Sequence, residues 1–313
     1  MGSRWTPSNL RSTASQFRAI LAHLKKYTES ALILTRMEQQ RSKYIEPGLS
    51  GLGRDSRRRL AAVLRISTGT VTPAKASEAL KLPRFTAAKL LSRWAAQGWL
   101  RRIRRGIYVA VPLESERADI AVEDAWIIAD AAFSPCFISG WSAGEHWGLT
   151  EQVFRTLHVS TVRRPRRRQL ELGGIGFQLC TVNKQELFGL KTLWRGRTRV
   201  QVSDPSRTII DLMIDPSAGG GLRSSVDMLQ NYLATPELRD VTKLVSYARR
   251  LGVGAVFKRL GYLLQRFAPD EREAIAECAR SITTGIAQLD PSLPGKRLAT
   301  TWRLWLPSGW SAP

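Results

Sequence analysis

Between residues 55 and 112 the chain is cut into short pieces by its own punctuation, and this limits what the segment can become. Thr72-Pro73 offers a side-chain acceptor for a helix start, followed by the fixed φ that suits a first helical position. Lys81-Leu82-Pro83 ends that helix, because the proline ring cannot continue it. Gly98 closes the next one, and Arg104-Arg105-Gly106 separates two short apolar runs as a tight turn. Helices are therefore predicted over 57–66, 73–80 and 84–97, and strands over 99–103 and 106–111. In the third helix Ala88, Leu91, Trp94 and Ala95 share one face, while Arg84, Thr86, Lys89 and Arg93 point away from it. Three helices followed by a hairpin is the order of a winged helix-turn-helix.

The charge says what such a module would meet. The chain of 313 residues has a formal net charge of +22. Residues 1–113 hold 22 Lys/Arg against 5 Asp/Glu, so most of the excess lies in the first third. A basic module joined to a more neutral one points to a polyanionic partner, and the major groove is wide enough for a helix. Arg84 and Thr86 sit at the amino end of the third helix, where recognition helices touch bases, and Lys89 and Arg93 follow along it. Arg101, Arg102, Arg104 and Arg105 flank Ile103, which is expected inside the hairpin. Arg57 and Arg58 lie at the start of a predicted helix, where cations are unfavourable unless an anion is near. All ten are candidate contacts to double-stranded DNA. A second basic run, Arg163, Arg164, Arg166, Arg167 and Arg168, follows a predicted strand, and it reads as a solvated loop, a second DNA contact, or a dock for an acidic partner or RNA.

The rest of the chain is different in kind. Residues 10–44 contain no Gly or Pro, and Phe17, Ile20, Leu24, Tyr27, Ala31 and Leu34 recur at spacings of three and four. That stripe needs a partner: its own chain, or a second copy in a homodimer. A Pro/Gly linker over 46–54 follows. Beyond residue 113 helices are expected over 118–133, 205–213, 222–233, 238–250, 253–267 and 270–281, strands over 156–162, 176–180 and 198–202, and a final strand near 302–306. The expected fold is α+β, with an N-terminal helix and linker (1–54), a winged helix-turn-helix domain (55–113) and a mixed α+β C-terminal domain ending in helices (114–313).

Little in the sequence suggests catalysis or a cofactor. Cys136, Cys180 and Cys278 are far apart with no C-x-x-C pair, so a zinc site is not expected and neutral thiols are. Ser139, His146 and Asp204 lack a G-x-S-x-G elbow, and His146 beside Trp147 reads as a packed core histidine. No Glu-x-Lys or Asp-x-Lys occurs, which argues against metal-dependent nucleases built on that element. Gly219-Gly-Gly221 reads as a break between helices. Neither a signal peptide nor a membrane span is apparent, so a cytoplasmic location is expected.

Six segments in order carry a resemblance: R-R-I-R-R-G-I-Y-V-A-V-P (101–112), S-G-W-S-A-G-E-H-W-G-L (139–149), H-V-S-T-V (158–162), V-S-D-P-S-R-T-I-I-D (202–211), R-L-G-Y-L-L (259–264) and W-R-L (302–304). Together, over about 56–306, they resemble the AbiEi family, antitoxins of bacterial type IV toxin–antitoxin pairs; Ser206 stands where that family has Glu. The resemblance implies a winged helix that binds repeats in its own promoter and represses the operon. It implies a second domain that opposes a nucleotidyltransferase-like toxin without a stable complex, as part of phage defence. Residues 1–54 depart from the family core. Two other readings stay open: a defence-associated nuclease or transferase with a DNA-targeting arm, and a plain transcription factor or scaffold.

Overall fold

The computed structural model describes residues 53–67, 69–111 and 125–310. The helix expected over 10–44, and the first part of the one expected over 118–133, lie outside the described residues. Three helices open the described chain: α1 (Arg54–Ile66), α2 (Pro73–Leu80) and α3 (Arg84–Ala96). The first starts three residues before its expected position, with Gly53 as N-cap and Asp55 in its first turn, so Arg57 is already its fourth residue. Helix α2 is capped as its sequence requires: Thr72 Oγ1 accepts from the Lys75 amide at 3.4 Å, and Pro73 occupies the first position. Lys81 ends it in the left-handed region, with φ 51°. In α3 the residues fully buried are Ala87, Leu91 and Trp94; Ala88, expected in the core, is only half-buried.

Strands β1 (Leu100–Arg104) and β2 (Ile107–Ala110) form the antiparallel hairpin. Val71 adds a bridge to Tyr108, with Val71 N donating at 2.7 Å and Tyr108 N donating back at 2.9 Å. The hairpin is apolar on both faces. Leu100 and Tyr108 pack on the helices with Leu60, Val63, Leu91 and Trp94. Ile103 and Ile107 turn the other way, into a core made by the second half of the chain. Burying two isoleucines there contributes about 3–6 kcal/mol in total.

That second core belongs to a six-stranded mixed sheet. Its strands are β3 (Cys136–Ile138), β4 (Thr156–Thr161), β5 (Gln169–Leu172), β6 (Ile175–Thr181), β7 (Leu190–Arg195) and β8 (Thr198–Ser203), in the spatial order β5-β6-β4-β3-β8-β7. Alternation along each strand divides the two faces. Cys136, Ile138, Leu157, Val159, Phe177, Leu179, Val200 and Val202 face helix α4 (Ala125–Phe133) and the hairpin. The opposite face carries α6 (Pro205–Ile214), while α5 (Gly140–His146) follows β3 directly and puts Ala143 into the same core as α4. A helical layer follows: α7 (Leu222–Ala234), α8 (Val241–Leu251), α9 (Gly254–Phe267) and α10 (Arg272–Arg280). Helix α8 begins later than expected because Asp240 caps it, accepting from the Lys243 amide at 2.9 Å. Gly220 and Gly221, with φ of 85° and 108°, make the break before α7.

Beyond α10 lie three short strands, β9 (Ala287–Gln288), β10 (Arg297–Ala299) and β11 (Leu304–Leu306), ordered β10-β11-β9. Here two of the resembling segments meet. Arg259 donates to the carbonyls of Met213 and Ile214 at 2.7 and 2.9 Å, satisfying the carboxyl end of α6. Two residues on, a Cβ at Gly261 would lie 2.0 Å from the ring of the fully buried Trp302, so only glycine lets that ring rest on α9. No helix among the described residues is long and apolar enough to cross a membrane.

Candidate nucleic-acid interface

On α3 the core residues leave a solvent face. Arg84, Phe85, Thr86, Lys89 and Arg93 are all exposed, and none of the charged ones forms an ion pair with a carboxylate among the described residues. Phe85, Lys89 and Arg93 follow at intervals of four and so make one ridge. Phe85 was not anticipated from the sequence. It is 70% exposed, and the Lys89 ammonium lies 4.4 Å from its ring centroid. The signal was available, since Phe85 stands between Arg84 and Thr86 on the polar side of the helix.

The hairpin arginines divide by environment. Arg102 and Arg105 are exposed, and Arg101 is half-buried. Arg104 turns inward: its Nη2 donates to the Ala132 carbonyl at 2.6 Å, and its guanidinium lies 5.8 Å from the Phe133 ring centroid. It thereby supplies a cation to the carboxyl end of α4, which has no basic residue of its own in its last turn. Burial, and then the nearby charge of Arg163, hold its pKa below the ordinary guanidinium value. Arg57 and Arg58 are exposed in the first two turns of α1.

The structure brings the second basic run to the hairpin. The loop after β4 is pinned to the same end of α4: Thr161 Oγ1 donates to the Phe133 carbonyl at 2.7 Å, and the Val162 amide to that of Pro135 at 3.1 Å. Arg163, Arg164, Arg166 and Arg167 then line a cleft with Arg104, whereas Arg168 is exposed beyond it.

Over residues 58–111 the chain matches the family described as transcriptional regulator, AbiEi antitoxin. The matched segment is similar to an AbiEi regulator module. It takes in α1 from Arg58 onward, both following helices and the whole hairpin, so the ridge on α3 and the hairpin arginines lie inside it, while Arg57 lies just before it. The loop of residues 163–168 lies outside the AbiEi match. No curated protein matches the chain at a significant level.

The residues weighed for catalysis do not converge. Ser139 shares a hydrogen bond of 2.9 Å with His158 Nδ1 and one of 2.8 Å with Ser160, all within the buried core. Burial pushes the His158 imidazole down to about 4, so the ring is neutral. His146 is not a core histidine: it is exposed, edge-on to Trp126 and Trp147 at centroid distances of 5.2 and 4.7 Å. A seven-residue helix leaves its last turn in solvent despite the tryptophans around it. Asp204 caps α6 by accepting from the Arg207 amide at 2.8 Å, and its other oxygen accepts from Tyr247 at 2.8 Å and Lys243 at 3.0 Å. Arg207, also not anticipated, is fully buried and bonded to Asp211 at 2.8 Å, with its guanidinium 4.4 Å from the centroid of Phe188. Cys136 and Cys278 are buried thiols pushed up to about 12, while Cys180 is exposed. No group of three or more His, Cys, Asp or Glu side chains suited to a metal ion occurs among the described residues.

Proposed function

We propose that this protein is a DNA-binding antitoxin and autorepressor of a type IV toxin–antitoxin operon. The observation that carries the reading is the exposed, carboxylate-free basic face of α3 inside the segment matched by the AbiEi regulator family. In this reading α3 enters the major groove, and Arg84, Thr86, Lys89 and Arg93 meet base edges and flanking phosphates. Arg57, Arg58, Arg101, Arg102 and Arg105 neutralise phosphates around it, and counterion release makes affinity fall steeply with salt. Residues 55–113 serve as the DNA-binding module and 114–313 as the antitoxin domain, acting without enzymatic turnover in the cytoplasm. The operator consists of repeats, and pairing of two copies through the 17–34 stripe matches the protein's symmetry to them. The toxin opposed is a nucleotidyltransferase-like protein.

The test has two arms. The chain's own upstream region is placed before a reporter, and an adjacent nucleotidyltransferase-like gene is expressed with and without the chain. Repression that Arg84→Ala with Arg93→Ala relieves, together with restored growth, is the expected result. Equal binding to promoter and random duplex, with no repression, refutes the regulator. Repression without rescue leaves a plain transcription factor. Nicking of plasmid in the presence of divalent metals would favour the nuclease.

A further inference from the structure

The cleft between the hairpin and the loop after β4 is built for more than solvated charge. Its volume is about 420 Å³, inside the size class of small-molecule sites, roughly 300–1,000 Å³. Four arginines, Arg163, Arg164, Arg166 and Arg167, line it from one chain segment and Arg104 from another some sixty residues away. None of the five forms an ion pair with a carboxylate among the described residues. Like charges gathered without counter-charge repel one another, and an anion bound among them removes that cost. The floor is apolar, made by Phe133, Leu170 and Leu179. The Arg104 side and the start of the loop are held in place, since Arg104 is bonded to the Ala132 carbonyl and Thr161 to that of Phe133.

A strip of phosphodiester backbone has use for the arginines but none for the apolar floor. A nucleotide has use for both. We propose that this cleft binds a nucleoside triphosphate, its phosphates on the arginines and its base against the apolar floor. The ligand bridges the hairpin and the second half of the chain, so its binding bears on the wing that the regulator reading assigns to DNA. The site itself does not depend on that reading.

Calorimetric titration of the full chain with ATP, GTP, CTP and UTP in turn, and with inorganic tripolyphosphate at equal ionic strength, tests it. At least one nucleotide is expected to bind one to one. The variant Arg166→Ala with Arg167→Ala should weaken it about tenfold or more, Arg84→Ala should leave it unchanged, and tripolyphosphate should bind about tenfold more weakly than that nucleotide. Arg166 and Arg167 are exposed, so an unaltered melting temperature certifies the variant's fold. Tripolyphosphate binding as tightly as every nucleotide would reduce the cleft to a charge sink and overturn the proposal. Nucleotide binding indifferent to the double variant, or no saturable binding at all, would overturn it too. If no nucleotide binds while the double variant flattens the salt dependence of duplex binding, the cleft holds DNA backbone and the proposal fails even though the regulator reading stands.

Discussion

Arg104 and Arg105 are neighbours at the tip of a basic hairpin, and they should behave in opposite ways. Arg105 is exposed and free to meet a phosphate, whereas Arg104 is committed to the Ala132 carbonyl and stacked toward Phe133. A hydrogen bond from a charged donor contributes about 1.5–3 kcal/mol, and a cation at a helix carboxyl end about 0.3–1 kcal/mol. Partial exposure and lost rotamer entropy reduce that sum, so Arg104→Ala should destabilise the fold by about 2 kcal/mol, or roughly 4–8 °C in Tm. Arg105→Ala should stay within about 0.5 kcal/mol. On a random-sequence duplex each phosphate contact contributes about 0.9 to the slope of log affinity against log salt. Arg105→Ala should therefore lower the slope by about 0.9, Arg104→Ala should leave it nearly unchanged while lowering affinity at every salt, and the double variant should lose about 0.9 rather than about 1.8. Fluorescence anisotropy across a salt series, beside thermal melts, measures both quantities. If Arg104→Ala flattens the slope as much as Arg105→Ala and leaves Tm alone, Arg104 is a phosphate contact and not an anchor.

Three further outcomes can be measured. Phe85, exposed beside Arg84, is placed to cover a thymine methyl; replacing operator thymines by deoxyuracil should weaken the native chain by about fourfold and Phe85→Ala not at all, and a variant that keeps the sensitivity would rule the contact out. His158 has its pKa depressed from 6.5 to about 4, so the neutral ring is favoured by folding: stability is complete above about 6.5 and is lost as pH falls toward about 4. Between about pH 7.5 and about pH 5 the chain should lose about 2 kcal/mol in denaturant titrations, His158→Gln should remove that dependence, and an unchanged slope in the variant would place the titrating group elsewhere. Gly261→Ala forces a methyl into the Trp302 ring and should cost about 1–3 kcal/mol or more; a variant that melts like the native chain would mean that ring can move.

What could be read in advance follows the range over which each feature is decided. Caps are local, so the dipeptides Thr72-Pro73 and Asp204-Pro205 are enough to announce α2 and α6, and both make the amide contacts expected of them. Strand β3 is only Cys-Phe-Ile, apolar on both faces, and lacks the alternation that would separate it from the apolar helix before it. Edge strand β5 alternates strictly but over only four residues, the shortest stretch that signals a strand, and edge strand β7, Leu190–Arg195, does not alternate cleanly. The same rule divides the site. Which α3 side chains face solvent is a matter of helical geometry, and Arg84, Thr86, Lys89 and Arg93 are where periodicity put them. That Arg104 turns inward and Arg163 comes beside it depends on packing between segments about sixty residues apart, which no local pattern encodes.

The hairpin ties these levels together. Residues of opposite parity on a two-stranded ribbon face opposite sides, and here each side has a core waiting for it: Leu100 and Tyr108 on the helices, Ile103 and Ile107 on the sheet. A ribbon buried on both faces cannot swing without exposing apolar area on one of them, at about 25 cal/mol per Å². The arginines at its tip are therefore held in fixed relation both to α3 and to the loop after β4. It follows that a ligand or partner that shifts α4 relative to the sheet must shift the hairpin as well, so the second half of the chain can bias the module matched to the AbiEi regulators through packing alone. Ile107→Ala, which loosens only the sheet side, should cost about 2–4 kcal/mol in a denaturant titration while leaving the exposed face of α3 chemically intact. A loss of duplex affinity that accompanies it at concentrations where the variant is fully folded would show that the sheet-side contact sets the hairpin's position. Unchanged affinity under those conditions would show that the helical side alone suffices.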